Sequence, residues 1–89
     1  MTEPTAPKIE FPLDYGIKVV ANSVDGFHSA MVAIVRQHDP HFDVTSIVIS
    51  ESKNGNYQSY RMRIWATGEP QLKALFEDLK DTGEVHFVL

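Results

Sequence analysis

The side chains best suited to proton transfer or metal ligation are the four histidines, His28, His38, His41 and His86. Only His38 and His41 are close in sequence, and Pro40 between them breaks the helical spacing that would turn both rings to one ion. A metal centre needs three or four convergent ligands at fixed geometry, and no further ligands accompany this pair, so no metal site is expected. Cysteine is absent, which removes thiolate ligands, a thiol nucleophile and disulfides. Ser50, Ser52 and Ser59 gather near one turn, yet no Gly-x-Ser-x-Gly elbow surrounds them and no histidine and carboxylate are spaced to activate a hydroxyl. The run Lys53-Asn54-Gly55-Asn56 is too short to cradle a phosphate as a Walker loop does. These residues point away from catalysis, and the chain reads as a non-enzyme without a cofactor.

Recognition chemistry is better represented. In residues 57–67 (YQSYRMRIWAT) Ser59, Arg61, Arg63 and Trp65 alternate with Tyr60, Met62, Ile64 and Ala66, so an extended backbone places two guanidinium groups and an indole on one face. With Lys18, Val20, Ser46, Val48, His86 and Val88 from neighbouring strands, that face is a candidate contact surface. Its centre is Arg61, Arg63, Trp65, Val48 and His86, and its partner would be an unknown protein or a second copy, since tryptophan and arginine dominate binding hot spots. Two other readings stay open: an ordinary face on which arginine stems cover the indole, and stacking of single-stranded RNA. RNA ranks last, because the third strand lacks the aromatic RNP signature and one tryptophan makes a poor platform. The net charge of −4 also makes nucleic acid an unlikely partner. A second candidate is the turn holding Asn22, Ser23, Asp25 and Gly26, where helix amides could hold an anionic metabolite such as an amino acid, although capping explains the same residues equally well.

The elements that must position these groups follow from periodicity. Residues 1–10 are polar with Pro4 and Pro7 and are expected to be a disordered tail; residues 11–89 then form one domain. That start lacks the apolar core of a signal peptide, no apolar run approaches a membrane span, and a cytoplasmic protein is expected. Residues 15–22 (YGIKVVAN) are β-branched and short, a strand with Ile17, Val19 and Ala21 inward. Asn22 or Ser23 can cap the helix that follows, with Asp25 in its first turn, and Phe27, Met31, Ile34 and Val35 make its apolar stripe. Pro40 ends that helix. Residues 42–50 (FDVTSIVIS) alternate as a second strand, and Asn54-Gly55 predicts a type I′ hairpin into the third. Thr67 or Glu69 caps a second helix with Pro70 in its first turn and Leu72, Leu75, Phe76 and Leu79 inward; Gly83 closes it. A last strand over 84–89 (EVHFVL) turns Val85, Phe87 and Leu89 inward and His86 and Val88 outward.

The order β-α-β-β-α-β predicts an α+β fold: a ferredoxin-like two-layer sandwich with a four-stranded antiparallel sheet, both helices on one face, and the first and third strands central. Phe11-Pro12 ahead of the first strand, the strand over 15–20, the turn segment over 52–59 and the closing Val88-Leu89 resemble the YbeD family of small bacterial proteins. That family's domain is similar in fold to the ACT-type regulatory domains of amino-acid metabolism. The resemblance implies this fold and no assigned activity. By the ACT analogy it also implies a ligand-sensing role at a glycine-containing turn after the first strand, as the alternative to a regulatory or protein-interaction module.

Overall fold

Alternation by twos organises the two longest strands. In the computed structural model, which describes residues 10–52 and 54–89, β1 (Leu13–Asn22) buries Ile17, Val19 and Ala21, and β3 (Tyr57–Ala66) buries Tyr60, Met62, Ile64 and Ala66. The two pair antiparallel along their whole length, from Leu13 opposite Ala66 to Asn22 opposite Tyr57. β2 (Val48–Glu51) flanks β3 and β4 (Val85–Val88) flanks β1, which gives the sheet order β2-β3-β1-β4 with the first and third strands central. The tail expected over residues 1–10 lies, but for Glu10, outside the described residues.

Both helices cover one side of this sheet. α1 (Phe27–His38) buries Phe27, Met31 and Val35, and α2 (Glu69–Lys80) buries Leu72, Leu75 and Leu79. These stripes meet the inward residues of β1 and β3 in one cluster, with Ile34, Phe76, Val85 and Val88 packed around it. The ferredoxin-like βαββαβ sandwich is therefore the observed fold. Neither helix is long and apolar enough to cross a membrane.

Several local expectations are corrected, each for a physical reason. The second strand is only Val48–Glu51, because Phe42 is buried as an anchor and the Asp43 carboxylate accepts from the Thr45 amide (2.9 Å) and hydroxyl (2.6 Å), curling Val44–Ser46 into a 3-10 turn. Ser46 thus lies beside the sheet and not in a strand. α1 has no side-chain cap: Asn22 still belongs to β1, Asp25 precedes the helix, and Gly26 takes the capping position at φ 85°, a left-handed conformation that glycine adopts without penalty. Gly68 caps α2, again without a side chain, while Pro70 sits in the first turn as expected. In the hairpin only Gly55 has positive φ (72°) among the described residues, and Ser52 accepts from the Gly55 amide (3.0 Å). The loop is longer than a type I′ turn, which needs positive φ at two positions.

The last correction bears on the site. Val88 faces Val19, Phe87 faces Val20, and Val85 faces Ala21, so one step along β1 matches two along β4 and His86 is the extra residue of a bulge. Beyond this bulge the strand is turned over. Val88, expected outward, packs on the core, while Phe87, expected inward, lies 45% exposed on the open face, and Leu89 beside Lys18 is 68% exposed.

Three outcomes follow for stability. Leu75→Ala and Ile64→Ala should each cost about 2–5 kcal/mol in urea unfolding, the range for truncating a buried aliphatic side chain. Val88→Ser should cost more than Phe87→Ser, by about 1 kcal/mol or more, and the reverse order would refute the bulge. Tyr60 is buried, and burial pushes its phenol pKa above the ordinary value. The unfolded phenol ionises near pH ~10 and the folded one higher, so the stability Tyr60 contributes is whole below that pH and is lost as pH rises through the folded value. Urea midpoints measured across this range should fall for the wild type and fall less for Tyr60→Phe.

Candidate functional site

The sheet face opposite the helices receives the even-numbered residues of β1 and the odd-numbered residues of β3. Strand register sets them in rows: Asn22 beside Tyr57, Val20 beside Ser59, Lys18 beside Arg61, Gly16 beside Arg63 and Asp14 beside Trp65. The edge strands extend these rows, with Ser50 next to Ser59, Val48 next to Arg61, Phe87 next to Val20, and Leu89 bonded through its backbone to Lys18.

The Lys18 row holds the main charge. Lys18 and Arg61 are direct cross-strand neighbours, flanked by Val48 (60% exposed) and Leu89. No carboxylate lies within ion-pair distance of either cation among the described residues. One row on, Arg63 crosses β1 to reach Asp14, its Nε donating to Oδ2 at 2.7 Å and its Nη2 to the Asp14 carbonyl at 3.2 Å. The guanidinium lies close over the strand, its Nη1 3.4 Å from where a Cβ at Gly16 would stand. A shallow cavity of about 540 Å³ joins these groups, lined among others by Gly16, Lys18, Ser46, Val48, Arg61, Arg63 and Leu89.

Trp65, 51% exposed, stands at one end of the face, and its backbone is held by side chains from outside the sheet. Its amide donates to Asp39 Oδ2 (3.0 Å), and its carbonyl accepts from Gln71 Nε2 (3.0 Å). Asp39 is 6% exposed and also accepts from the His41 amide (3.2 Å). The Gln71 amide group additionally donates to the His38 carbonyl (2.7 Å) and accepts from the Thr67 amide (2.7 Å). The end of α1, the start of α2 and the end of β3 are thereby tied at one point. Acidic groups lie here too: Asp43 lines a hollow with Asp14, Arg63 and Trp65, and its Thr45 hydrogen bonds hold its carboxyl below the usual range.

At the opposite end, His86 stacks edge-on against Tyr57 with ring centroids 4.7 Å apart, and its Nε2 donates to Asn22 Oδ1 (2.7 Å). Asn22 Nδ2 donates to Glu84 Oε2 (3.0 Å). Both polar ends of the Asn22 amide are therefore engaged, by Glu84 just before β4 and by His86 within it, and it is not aimed at the turn formed by Ser23, Asp25 and Gly26. His86 is on the expected face but not with Trp65, since Tyr57 and Trp65 are eight residues apart on one strand, about 26 Å.

The structure places Arg61, Arg63, Trp65 and Val48 on the face that alternation assigned them, with Trp65 at one end of it. Sequence reasoning missed Leu89 and Phe87 because the bulge carries no composition signal. It also missed Asp39, for which the signal available was an acidic residue between a helix end and Pro40. Among the described residues the face offers cations, hydroxyls and apolar contacts, a chemistry suited to holding an anionic or amphipathic group.

Asp39→Ala should destabilise by about 1–3 kcal/mol, because it strips the acceptor from a partly buried amide, whereas Asp39→Asn, which keeps an acceptor oxygen, should cost less. Urea unfolding followed by Trp65 fluorescence measures both, and equal effects would show that the carboxylate does not hold the strand.

Residues 6–89 match the family model described as a protein of unknown function, DUF493. The UPF0250 protein of Azotobacter vinelandii is 42% identical, covering 99% of this chain and 97% of its own, and that of Hahella chejuensis is 45% identical, covering 94% and 92%. Among solved structures, protein HP0495 from H. pylori superposes with a TM-score of 0.72 over 100% of this chain and 97% of its own at 16% identity. The ACT domain from the GTP pyrophosphokinase of Chlorobium tepidum gives 0.59 over 86% and 97% at 20% identity, which extends the likeness of fold to ACT domains. A family model matched over nearly the whole length, with relatives this similar, makes the chain a member of the DUF493 family, the UPF0250 group to which the YbeD resemblance pointed.

Proposed function

We propose that this protein is a non-catalytic regulatory module that docks a partner protein on the open face of its sheet, with acidic side chains of the partner meeting Lys18 and Arg61. The observation that carries this reading is the cross-strand pairing of those two cations between exposed Val48 and Leu89. Like charges directly opposite each other in a sheet cost stability, and a face kept for folding alone gains nothing from them. A carboxylate placed between them removes the repulsion, and the flanking apolar side chains supply contact area around the neutralised pair. The sensor reading at Ser23, Asp25 and Gly26 has less in its favour, because the Asn22 amide is already taken up by Glu84 and His86.

The reading makes stability and binding move in opposite directions. Arg61→Glu places a carboxylate opposite Lys18 and should raise stability slightly, by up to about 1 kcal/mol, while abolishing retention of the partner. Tagged wild-type and Arg61→Glu chains should be compared by affinity purification from native cells and by thermal melting. Identical sets of retained proteins would refute the docking role, whatever the melts show.

A further inference from the structure

Both central strands outrun the edge strand beside them, and the two overhangs are treated differently. On β3 the overhang is closed by side chains at Trp65, with Asp39 and Gln71 taking its amide and carbonyl, while the Arg63 amide and carbonyl on the same edge have no partner among the described residues. On β1 it is open. β4 pairs with Val19, Val20 and Ala21, and Lys18 exchanges both backbone bonds with Leu89 at 3.0 and 2.9 Å. Among the described residues, positions 13–17 of β1 pair with β3 alone. Backbone groups alternate sides along a strand, so because Lys18 turns its amide and carbonyl to this edge, Gly16 and Asp14 do likewise. The Asp14 carbonyl is held by Arg63, whereas the Gly16 amide and carbonyl have no partner among the described residues.

The two flanks of this edge differ in chemistry. On the open face lie Gly16, Lys18 and Arg63, with Arg61 one strand further. Three cations stand in these rows, and the one side-chain carboxylate among them is that of Asp14. On the helix side the edge borders a second groove of about 470 Å³, between β1 and α2, whose apolar lining is Phe11, Tyr15, Leu72 and Phe76.

We infer that this overhang receives an extended segment of a partner protein, with acidic and apolar residues in alternation, which adds as a fifth strand beside residues 13–17 of β1. The inference rests on the docking role proposed for the open face and gives that partner a backbone geometry. An unpaired amide and carbonyl on one residue match a peptide backbone, which a small anion or a phosphate chain cannot reproduce. Side chains of an added strand point alternately to the two faces, so every second residue enters the Phe11, Tyr15, Leu72 and Phe76 groove while those between face the cations.

The test uses the full chain, isotope-labelled for NMR, and a short capped peptide alternating glutamate and valine. Its controls are a block peptide of the same composition and two versions N-methylated at alternate backbone nitrogens, in opposite registers. The alternating peptide should shift the Gly16 and Lys18 resonances and slow exchange of the Gly16 amide at least about tenfold; one N-methylated register should lose binding and the other keep it. Shifts at Lys18 and Arg61 with unchanged Gly16 exchange, or equal binding by the block peptide and both N-methylated forms, would overturn strand addition and leave the docking face standing. Absence of binding by every peptide would overturn both. A Gly16 amide already protected in the free chain would also overturn the partner: dependence on protein concentration would identify a second copy, and loss of protection on deleting residues 1–9 would identify the chain's own first residues.

Discussion

The unbroken antiparallel pairing of β1 with β3 is the constraint on which everything else rests. Its register decides which side chains share a row, and therefore that Lys18 meets Arg61, that Arg63 crosses above Gly16, and that Trp65 stands beside Asp14. A slip by one residue would exchange the faces and bury these charged groups under the helices. The inward residues of both strands, Val19, Ala21, Ile64 and Ala66 among them, are almost wholly inaccessible, and this makes such a slip costly. The polar face is thus held in register by the apolar one behind it.

Around this centre the edges are short and unequal. β2 and β4 each cover only part of the strand they flank, which leaves backbone of both central strands without a strand partner. At Trp65 the deficit is met by a buried carboxylate and a glutamine, two side chains recruited from the ends of α1 and α2. At Gly16 nothing comparable is present among the described residues, and a sheet edge left in that condition invites another chain.

The architecture was legible in the sequence because its signals are repeated. Four inward positions of β3, three of β1 and the stripes of both helices each state the same period, and no single residue has to be read correctly. The site was legible only as far as it shares that periodicity: Arg61, Arg63, Trp65 and Val48 fell where alternation put them. What was lost depends on single events. One extra residue at His86 turned Phe87, Val88 and Leu89 over, and one carboxylate at Asp43 curled a stretch that otherwise alternates like a strand. The hydrogen bonds of Asp39 and Gln71 join residues distant in the chain, and distance in the chain is what a periodicity cannot encode.

The Gln71 amide touches three segments at once: the last turn of α1 through His38, the exit of β3 through Trp65, and Thr67 just before α2. His38 reinforces the same junction through its ring, whose Nε2 lies 2.7 Å from Asp78 Oδ2 on α2. The backbone that carries the indole is therefore tied to both helices on the far side. Tilting either helix must lengthen one of these bonds or carry the Trp65 backbone with it.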